Sequence, residues 1–329
     1  IGLRPPERRI GQSAHDFAQA FSCPDLVLTR SLKVGGTPTV PSRWLTRLDA
    51  VLGPLSARVR DKAPVAIAAL LDRPTERVEI KRPNPSPPLA SRPTAYSVTE
   101  IESLIADPYR VFAKKILGLR PLDALDEEPG AAERGTIVHE ALSHFLDRFA
   151  DPLPADALDA LLAAGREEMA AYADRPSVAA FWMPRFERIV RFVIATEHAR
   201  RMEIASLHGE ARGEMAVAVD QGEGMALPVK LHGRADRIER RRDGTAWIVD
   251  YKTGTPPSAA AVKAGARPQL TLEALIAERD GFTDAQGNRL GTGRVGGLEY
   301  WHLKGTEPAG EIKAVASGDL TDLLHQTEQ

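Results

Sequence analysis

The chain has 329 residues, enough for one large or two medium domains, and its 43% apolar and 27% charged residues are ordinary for a soluble globular protein. No apolar run approaches the ~18 residues a membrane span needs, and the opening Ile1-Gly2-Leu3-Arg4-Pro5-Pro6 has neither a signal-peptide core nor an initiator Met, which reads as a piece of a longer polypeptide. A single cysteine, Cys23, excludes an internal disulfide and a cysteine-based zinc or iron–sulfur site and fits an intracellular, cytoplasmic setting, while a formal charge of −2 leaves any contact with a polyanion to local basic patches.

In chain order, Ser13 to Phe21 reads as a short helix and Leu26-Val27-Leu28 as a short strand. Leu45, Leu48, Val51 and Leu52 fall at helical spacing, and Val65 to Leu71 is mostly apolar. This first part is too small to bury a comfortable core of its own. From Arg82 to Pro93 the prolines predict an extended connector, and the domain boundary is placed there. Ser97-Val98-Thr99-Glu100 fits a capping box, with Ile101, Leu104 and Ile105 on one face of the helix it opens. Asp107-Pro108 breaks that helix, Tyr109 to Leu119 resumes an apolar pattern, and residues 127–132 read as an acidic loop. Arg134 to Phe149 is amphipathic, with Ile137, Val138, Ala141, Leu142, Phe145, Leu146 and Phe149 on its apolar face. His139 sits at the edge of that face, and Glu140 and His144 project elsewhere. Further helices are predicted over Ala157 to Tyr172 and Pro184 to Arg201.

After residue 210 the period changes to two. Glu214 to Val219 and Leu227 to Glu239 read as strands, Arg242-Asp243-Gly244-Thr245 as a turn, and Trp247 to Tyr251 as a buried strand. A helix is predicted from Gln269 to Arg279 after Arg267-Pro268, and Gly296 to Leu303 as the last strand. Helices, then antiparallel strands, then a helix and a strand predict an α/β fold with a mixed central sheet flanked by helices.

The feature that points to chemistry is Ile248-Val249-Asp250-Tyr251-Lys252-Thr253-Gly254. On a strand, residues i and i+2 share a face, so Asp250 and Lys252 stand side by side. The carboxylate can hold a hard cation and the ammonium can face the same water or phosphate. Asp236 lies in the preceding strand, and the parity of the hairpin loop decides whether it can join them. A two-residue loop at Asp243-Gly244 pairs Asp236 with Tyr251, on the wrong face. A three-residue loop pairs it with Asp250 or Lys252, so a shared site requires an odd loop. His139 is a third candidate ligand, the Tyr251 carbonyl a further oxygen donor, and Gln269 could bind a phosphate or position Lys252. Such a set suits Mg²⁺ or Mn²⁺. Taken singly, each has a blander reading: Asp-x-Lys or Asp236 beside Arg234 and Arg237 as a solvated ion pair, His139 as a helix-edge residue.

Together, Arg134-Gly135-Thr136-Ile137-Val138-His139-Glu140, Gly233-Arg234-Ala235-Asp236-Arg237-Ile238, Val249-Asp250-Tyr251-Lys252-Thr253-Gly254 and Pro268-Gln269-Leu270 resemble the successive motifs of RecB-type PD-(D/E)XK nucleases. The fullest resemblance, over residues 95–305, is to the C-terminal nuclease domain of AddB-type subunits of AddAB helicase–nucleases. It implies a restriction-endonuclease-like PD-(D/E)XK core with helical additions. It divides the chain into a helicase-like remnant plus connector at 1–90, the nuclease domain at 91–310 and a tail at 311–329. It implies Mg²⁺-dependent, exonucleolytic cleavage of single DNA strands in double-strand break repair and recombination, with an AddA-like partner subunit. His139, Asp236, Asp250 and the Tyr251 carbonyl would hold the metal, with Asp236, Asp250, Lys252 and Gln269 catalytic. Two positions depart from the pattern. Asp107 stands where many relatives have a cluster-binding cysteine, so no iron–sulfur cluster is expected. Glu273 stands where many have a tyrosine, and it receives no role. No Gly-x-x-x-x-Gly-Lys-Ser/Thr loop occurs, so the chain is no ATPase by itself. The alternatives are a DNA-guiding module folded as a nuclease but idle, and a nuclease of another RecB-like context, such as CRISPR-associated or phage enzymes. The intact trio Asp236, Asp250 and Lys252 speaks against the first, and the helicase-like opening of the chain against the second.

Overall fold

The computed structural model describes residues 6–59, 61–71, 73, 76, 78–122, 129–149, 152–172, 174–220, 226–279, 281–284 and 286–328. They fall into two units, Ile1–Arg82 and Pro83–Gln329. The first holds helix α1 (Pro6–Phe21), the two-residue strands β1 (Lys33–Val34) and β2 (Thr37–Pro38), and helices α2 (Arg43–Leu52), α3 (Ser56–Val59) and α4 (Ala63–Leu71). Phe17 stacks on Phe21 and on Trp44, whose Nε1 donates to Ser13 Oγ at 3.1 Å. Among the described residues of this unit only Ser56 is buried. The strand expected at Leu26 to Leu28 does not form: all three side chains are exposed, and among the described residues no strand pairs with them.

The second unit opens with β3 (Ala95–Ser97) and α5 (Val98–Ala106). The Ser97 hydroxyl accepts from Glu100 N at 3.1 Å and the Glu100 carboxylate accepts from Ser97 N at 3.0 Å, the reciprocal capping box. Asp107 ends this helix and caps the next, α6 (Pro108–Val111), which runs on as a wider turn over Phe112–Ile116. Of the loop expected at 127–132, residues 127 and 128 lie outside the described residues, and α7 (Ala131–Arg148) already begins within it. Helices α8 (Ala157–Met169) and α9 (Pro176–Arg200) follow, α9 starting eight residues before the expected Pro184, which it contains.

The sheet then forms. β4 (Ile204–Asp220), β5 (Ala226–Arg241) and β6 (Ala246–Lys252) make an antiparallel meander. The crossover from β6 carries α10 (Ala259–Lys263), α11 (Gln269–Glu278) and the short β7 (Phe282–Thr283), and delivers β8 (Val295–Leu303) parallel to β6. The segment expected as a tail forms β9 (Gly310–Ser317), antiparallel to β8, and α12 (Thr321–Glu328), whose Leu324 is buried in the core. Gly296 to Leu303 is therefore not the last strand. The seven-stranded sheet has the order β7-β4-β5-β6-β8-β9, with β3 parallel to β5.

One core on this sheet joins α5, α10, α11 and α12, through Val98, Val262, Leu270, Ile276 and Leu324. The second joins α7, α8 and α9, through Leu142, Phe145, Leu161, Phe186 and Val190. Helices therefore cover both faces, as the parallel pair β6/β8 requires, and β8 is buried along its whole length. Every residue of α11 from Leu270 to Ala277 is buried, so it is a core helix rather than an amphipathic one. It can lie this close because Gly213 has no side chain: a Cβ there would stand 2.6 Å from Ile276 and Phe282 atoms.

Candidate functional site

The β5–β6 hairpin sets the site. Arg241 N donates to Thr245 O at 2.7 Å and Gly244 N to Arg241 O at 3.0 Å, which leaves Arg242-Asp243-Gly244 as a three-residue loop. Gly244 has φ +85°, the left-handed residue such a loop needs. Asp243 Oδ1 ties the turn by accepting from Thr245 N at 2.8 Å and from its hydroxyl at 2.7 Å. The loop is odd, and the register runs Ile238↔Ile248, Arg237↔Val249. One step further, Asp236 stands opposite Asp250.

A second device lies beside Asp236. Ile238 packs in the α11 core, and so do Ala235 and Leu231. Regular alternation would put residues 235 and 238 on opposite faces, so alternation breaks between them. The facing strand breaks at the same place. Leu207 lies in the α7–α9 core and Ala211 in the α11 core, and Glu210 between them has φ +44°, the only positive φ at a non-glycine among the described residues. At this break the Asp236 carboxylate reaches two elements. Its Oδ2 accepts from Tyr251 N on β6 at 2.8 Å, and its Oδ1 lies 3.3 Å from His139 Nδ1 on α7.

At the end of β6, Lys252 Nζ donates to Asp250 Oδ1 at 2.9 Å and to Gln269 Oε1 at 3.2 Å. Asp250 Oδ2 is nearer, 2.7 Å, but outside hydrogen-bonding angles, so this buried oxygen feels the ammonium only as charge. Gln269, the first residue of α11, donates from Nε2 to Asp250 Oδ1 at 2.6 Å and to Glu273 Oε1 at 3.1 Å. All the side chains singled out in the sequence as catalytic or ligating are thus brought together; at Tyr251, where the backbone carbonyl was the expected donor, the ring is 2% exposed and lies edge-on to both His139 and Trp301.

Burial, with Asp236 alongside, pushes the Asp250 carboxyl up to about 6 despite Lys252. Glu273 is fully buried, and burial followed by the charges of Asp250 and Asp236 holds its carboxyl far above the ordinary range. Burial disfavours the Lys252 charge, yet Asp250 and Asp236 more than offset it, so Lys252 keeps its proton more tightly than usual. For His139, burial is likewise outweighed by Asp236, and its pKa is raised.

Residues 95–328 match the family described as the PD-(D/E)XK nuclease superfamily. The chain belongs to that superfamily. Relatives of this nuclease-superfamily chain occur in Rickettsia. An uncharacterized protein of Rickettsia conorii is 29% identical over 264 residues, 78% of this chain and 30% of that protein. One of Rickettsia bellii is 32% identical over 190 residues, 58% of this chain and 22% of that protein. The chain therefore spans under a third of the length of these relatives. The crystal structure of SSO0001 aligns over 70% of this chain and 84% of its own at 13% identity and a TM-score of 0.25, too low to bear on the argument.

Members of this superfamily typically use Mg²⁺ or Mn²⁺. The donors here are of the right kind: two facing carboxylates, one with a buried oxygen that accepts no hydrogen bond, and an imidazole against the other. Among the described residues no three His, Cys, Asp or Glu side chains stand in a ligating arrangement. Asp236 accepts from Tyr251 N, and Asp250 from Lys252 and Gln269.

Two features were not read from the sequence. Glu273 was set aside, although its spacing of four from Gln269 on an otherwise apolar helix was a signal. The other is a buried ion network behind the site. Arg237, 0% exposed, pairs with Glu197 and, through Nε, with Glu239 Oε1 at 2.7 Å, and its guanidinium lies 4.9 Å from the Trp301 ring centre. Its burial rules out the blander alternative for Asp236, a solvated ion pair with this arginine.

Proposed function

We propose that this superfamily member is a Mg²⁺- or Mn²⁺-dependent deoxyribonuclease that hydrolyses phosphodiester bonds at His139, Asp236, Asp250, Lys252 and Gln269. The observation that carries the reading is the Lys252 ammonium held between Asp250 and Gln269, one residue from the Tyr251 N–H that fixes Asp236. His139, Asp236 and Asp250 would hold the cation. The chemistry it supplies in such a site is Lewis-acid polarisation of a phosphoryl oxygen and neutralisation of charge.

The rest falls to the chain's own groups. Two carboxylates alone would repel a polyanion, and the Lys252 charge offsets one of them. Lys252 holds its proton at Nζ, so it acts as a fixed positive donor rather than a base. It steers the attacking water and stabilises negative charge growing on the phosphorus oxygens. Gln269 keeps the ammonium beside Asp250, and Asp236, locked by Tyr251 N, keeps its place as strand β6 ends.

The wider setting rests on the motif resemblance. We place the chain in the cytoplasm, as the nuclease part of an AddB-type subunit acting on single DNA strands with an AddA-like partner in double-strand break repair. No helix among the described residues is long and apolar enough to cross a membrane.

The test is Lys252→Ala. Cleavage of single-stranded DNA with Mg²⁺ is expected to fall by about 10²–10³, the cost of one preorganised electrostatic partner, with DNA binding and thermal melting nearly unchanged. Wild-type cleavage by this variant would remove the assignment. Binding without cleavage by the unmutated chain would favour a DNA-guiding role.

A further inference from the structure

We propose that Glu273 is a positioning residue which decides the direction in which the Gln269 amide points, and through it where the Lys252 ammonium stands. The inference rests on the nuclease reading above and adds a residue to it.

A glutamine amide has a donor end with two N–H groups and an acceptor end with one carbonyl oxygen. At Gln269 all are assigned. One N–H goes to Asp250 Oδ1 at 2.6 Å, the other to Glu273 Oε1 at 3.1 Å, and the carbonyl accepts from Lys252 Nζ at 3.2 Å. Asp250 alone does not fix this arrangement, because the ammonium could satisfy it without Gln269. With the amide reversed, its carbonyl would face Glu273 Oε1 and Asp250 Oδ1, and its N–H groups would face the ammonium. Glu273 opposes that reversal by offering an acceptor where the donor end lies. It sits one helical turn along α11, 0% exposed, in a helix buried from Leu270 to Ala277, so its side chain has no solvent alternative. An unsupported buried carboxyl there would be costly, and an apolar residue would serve packing better. The polar group is explained by what it holds.

Three variants test this. Glu273→Gln keeps an acceptor at the same reach; Glu273→Met keeps the length and removes it; Gln269→Ala removes the group positioned. Cleavage of single-stranded DNA is expected to survive in Glu273→Gln. In Glu273→Met, kcat is expected to fall about tenfold, the loss of one well-placed hydrogen bond, with KM unchanged. In a Gln269→Ala background, Glu273→Met should cost nothing further, since residues acting through one group are not additive. A second readout needs no activity. The Gln269 side-chain amide, assigned by its loss in Gln269→Ala, should exchange its protons slowly in the unmutated chain and in Glu273→Gln, and fast in Glu273→Met. Additive losses in the double variant, or slow exchange retained in Glu273→Met, would overturn the proposal. If the unmutated chain cleaves nothing, the nuclease reading falls and the exchange rates alone decide this one.

Discussion

A carboxyl buried beside a second carboxylate resists ionisation, and at Asp250 the pKa rises from 3.8 to about 6. The sign of the consequence follows by linkage. Between those two values the folded chain binds a proton that the unfolded chain has released, so stability falls as pH rises through that window and levels off above it. The site thus works against the stability of the fold, and on the proposed function a bound cation would relieve the repulsion between Asp236 and Asp250. Without divalent metal, the melting temperature is expected to drop between about pH 4 and pH 6. Asp250→Asn should show a smaller drop, the remainder coming from Glu273, whose carboxyl is also held high, and should melt higher than the unmutated chain near pH 7 and fail to cleave DNA. Saturating Mn²⁺ should raise the melting temperature of the unmutated chain near pH 7 and leave the Asn variant unmoved. Differential scanning fluorimetry across pH, with and without Mn²⁺, checks all of this. Superimposable pH profiles for the two proteins would show that Asp250 carries no such strain.

At the scale of elements, the loop Arg242-Asp243-Gly244 sets the partner of Asp236. A one-residue slip moves a strand's side chains to the other face. Deleting Arg242 leaves Asp243-Gly244 as a two-residue turn and aims Asp236 at Tyr251, and cleavage is expected to disappear. Gly244→Ala strains the same turn without changing its length. It should cost on the order of 1–2 kcal/mol, as left-handed backbone does for a residue with a Cβ, and leave cleavage intact at low temperature. Chemical denaturation and a cleavage assay on both variants separate register from stability; a deletion variant that cleaves normally would remove the register argument. The same hairpin shows what sequence can reveal. Period two placed Asp250 beside Lys252, and parity arithmetic stated that an odd loop was required, because both depend only on local backbone geometry. The helix face of α7 and the mixed sheet followed from patterning in the same way, whereas on α5 Ile101 and Leu104 are half-buried and Ile105 is exposed. The first ten residues of β4 were missed because Gly209, Gly213 and alternating charges weaken the strand signal there, and the strand exists through its pairing with β5. Strand β9 was missed because all but one of its residues are exposed or half-buried, as in an edge ladder. The role of Glu273 and the burial of Arg237 were not legible for a shared reason: what surrounds them comes from segments distant in sequence.

Over the whole second unit, the site rests on a charged core. Glu197, Glu203, Glu239 and Glu299 meet Arg200, Arg201, Arg237 and Arg241 in a connected set that ties α9 and the turn after it to β5 and β8. Glu197, Arg237 and Glu239 are fully buried, and the Arg237 guanidinium stands 3.4 Å from the Tyr251 hydroxyl, at the back of the residue whose N–H holds Asp236. Burial works against the Glu197 charge, yet Arg237 and Arg201 hold its carboxyl below the ordinary range. Removing one member therefore strands a charge in the protein interior. Glu197→Leu and Arg237→Met are each expected to lose about 3–5 kcal/mol of stability in urea denaturation, the usual cost of breaking a buried pair. The double variant should lose less than either single one. It removes one charge of each sign, Glu239 keeps Arg200 at 2.6 Å, and apolar side chains can fill the space between Trp301 and α9. Cleavage should follow stability in the single variants and recover in the double one if the network acts only as a frame for β6. A double variant as unstable as the sum of the two single ones would show instead that Glu197 and Arg237 act independently, and that the network is not the unit that fixes the back of the site.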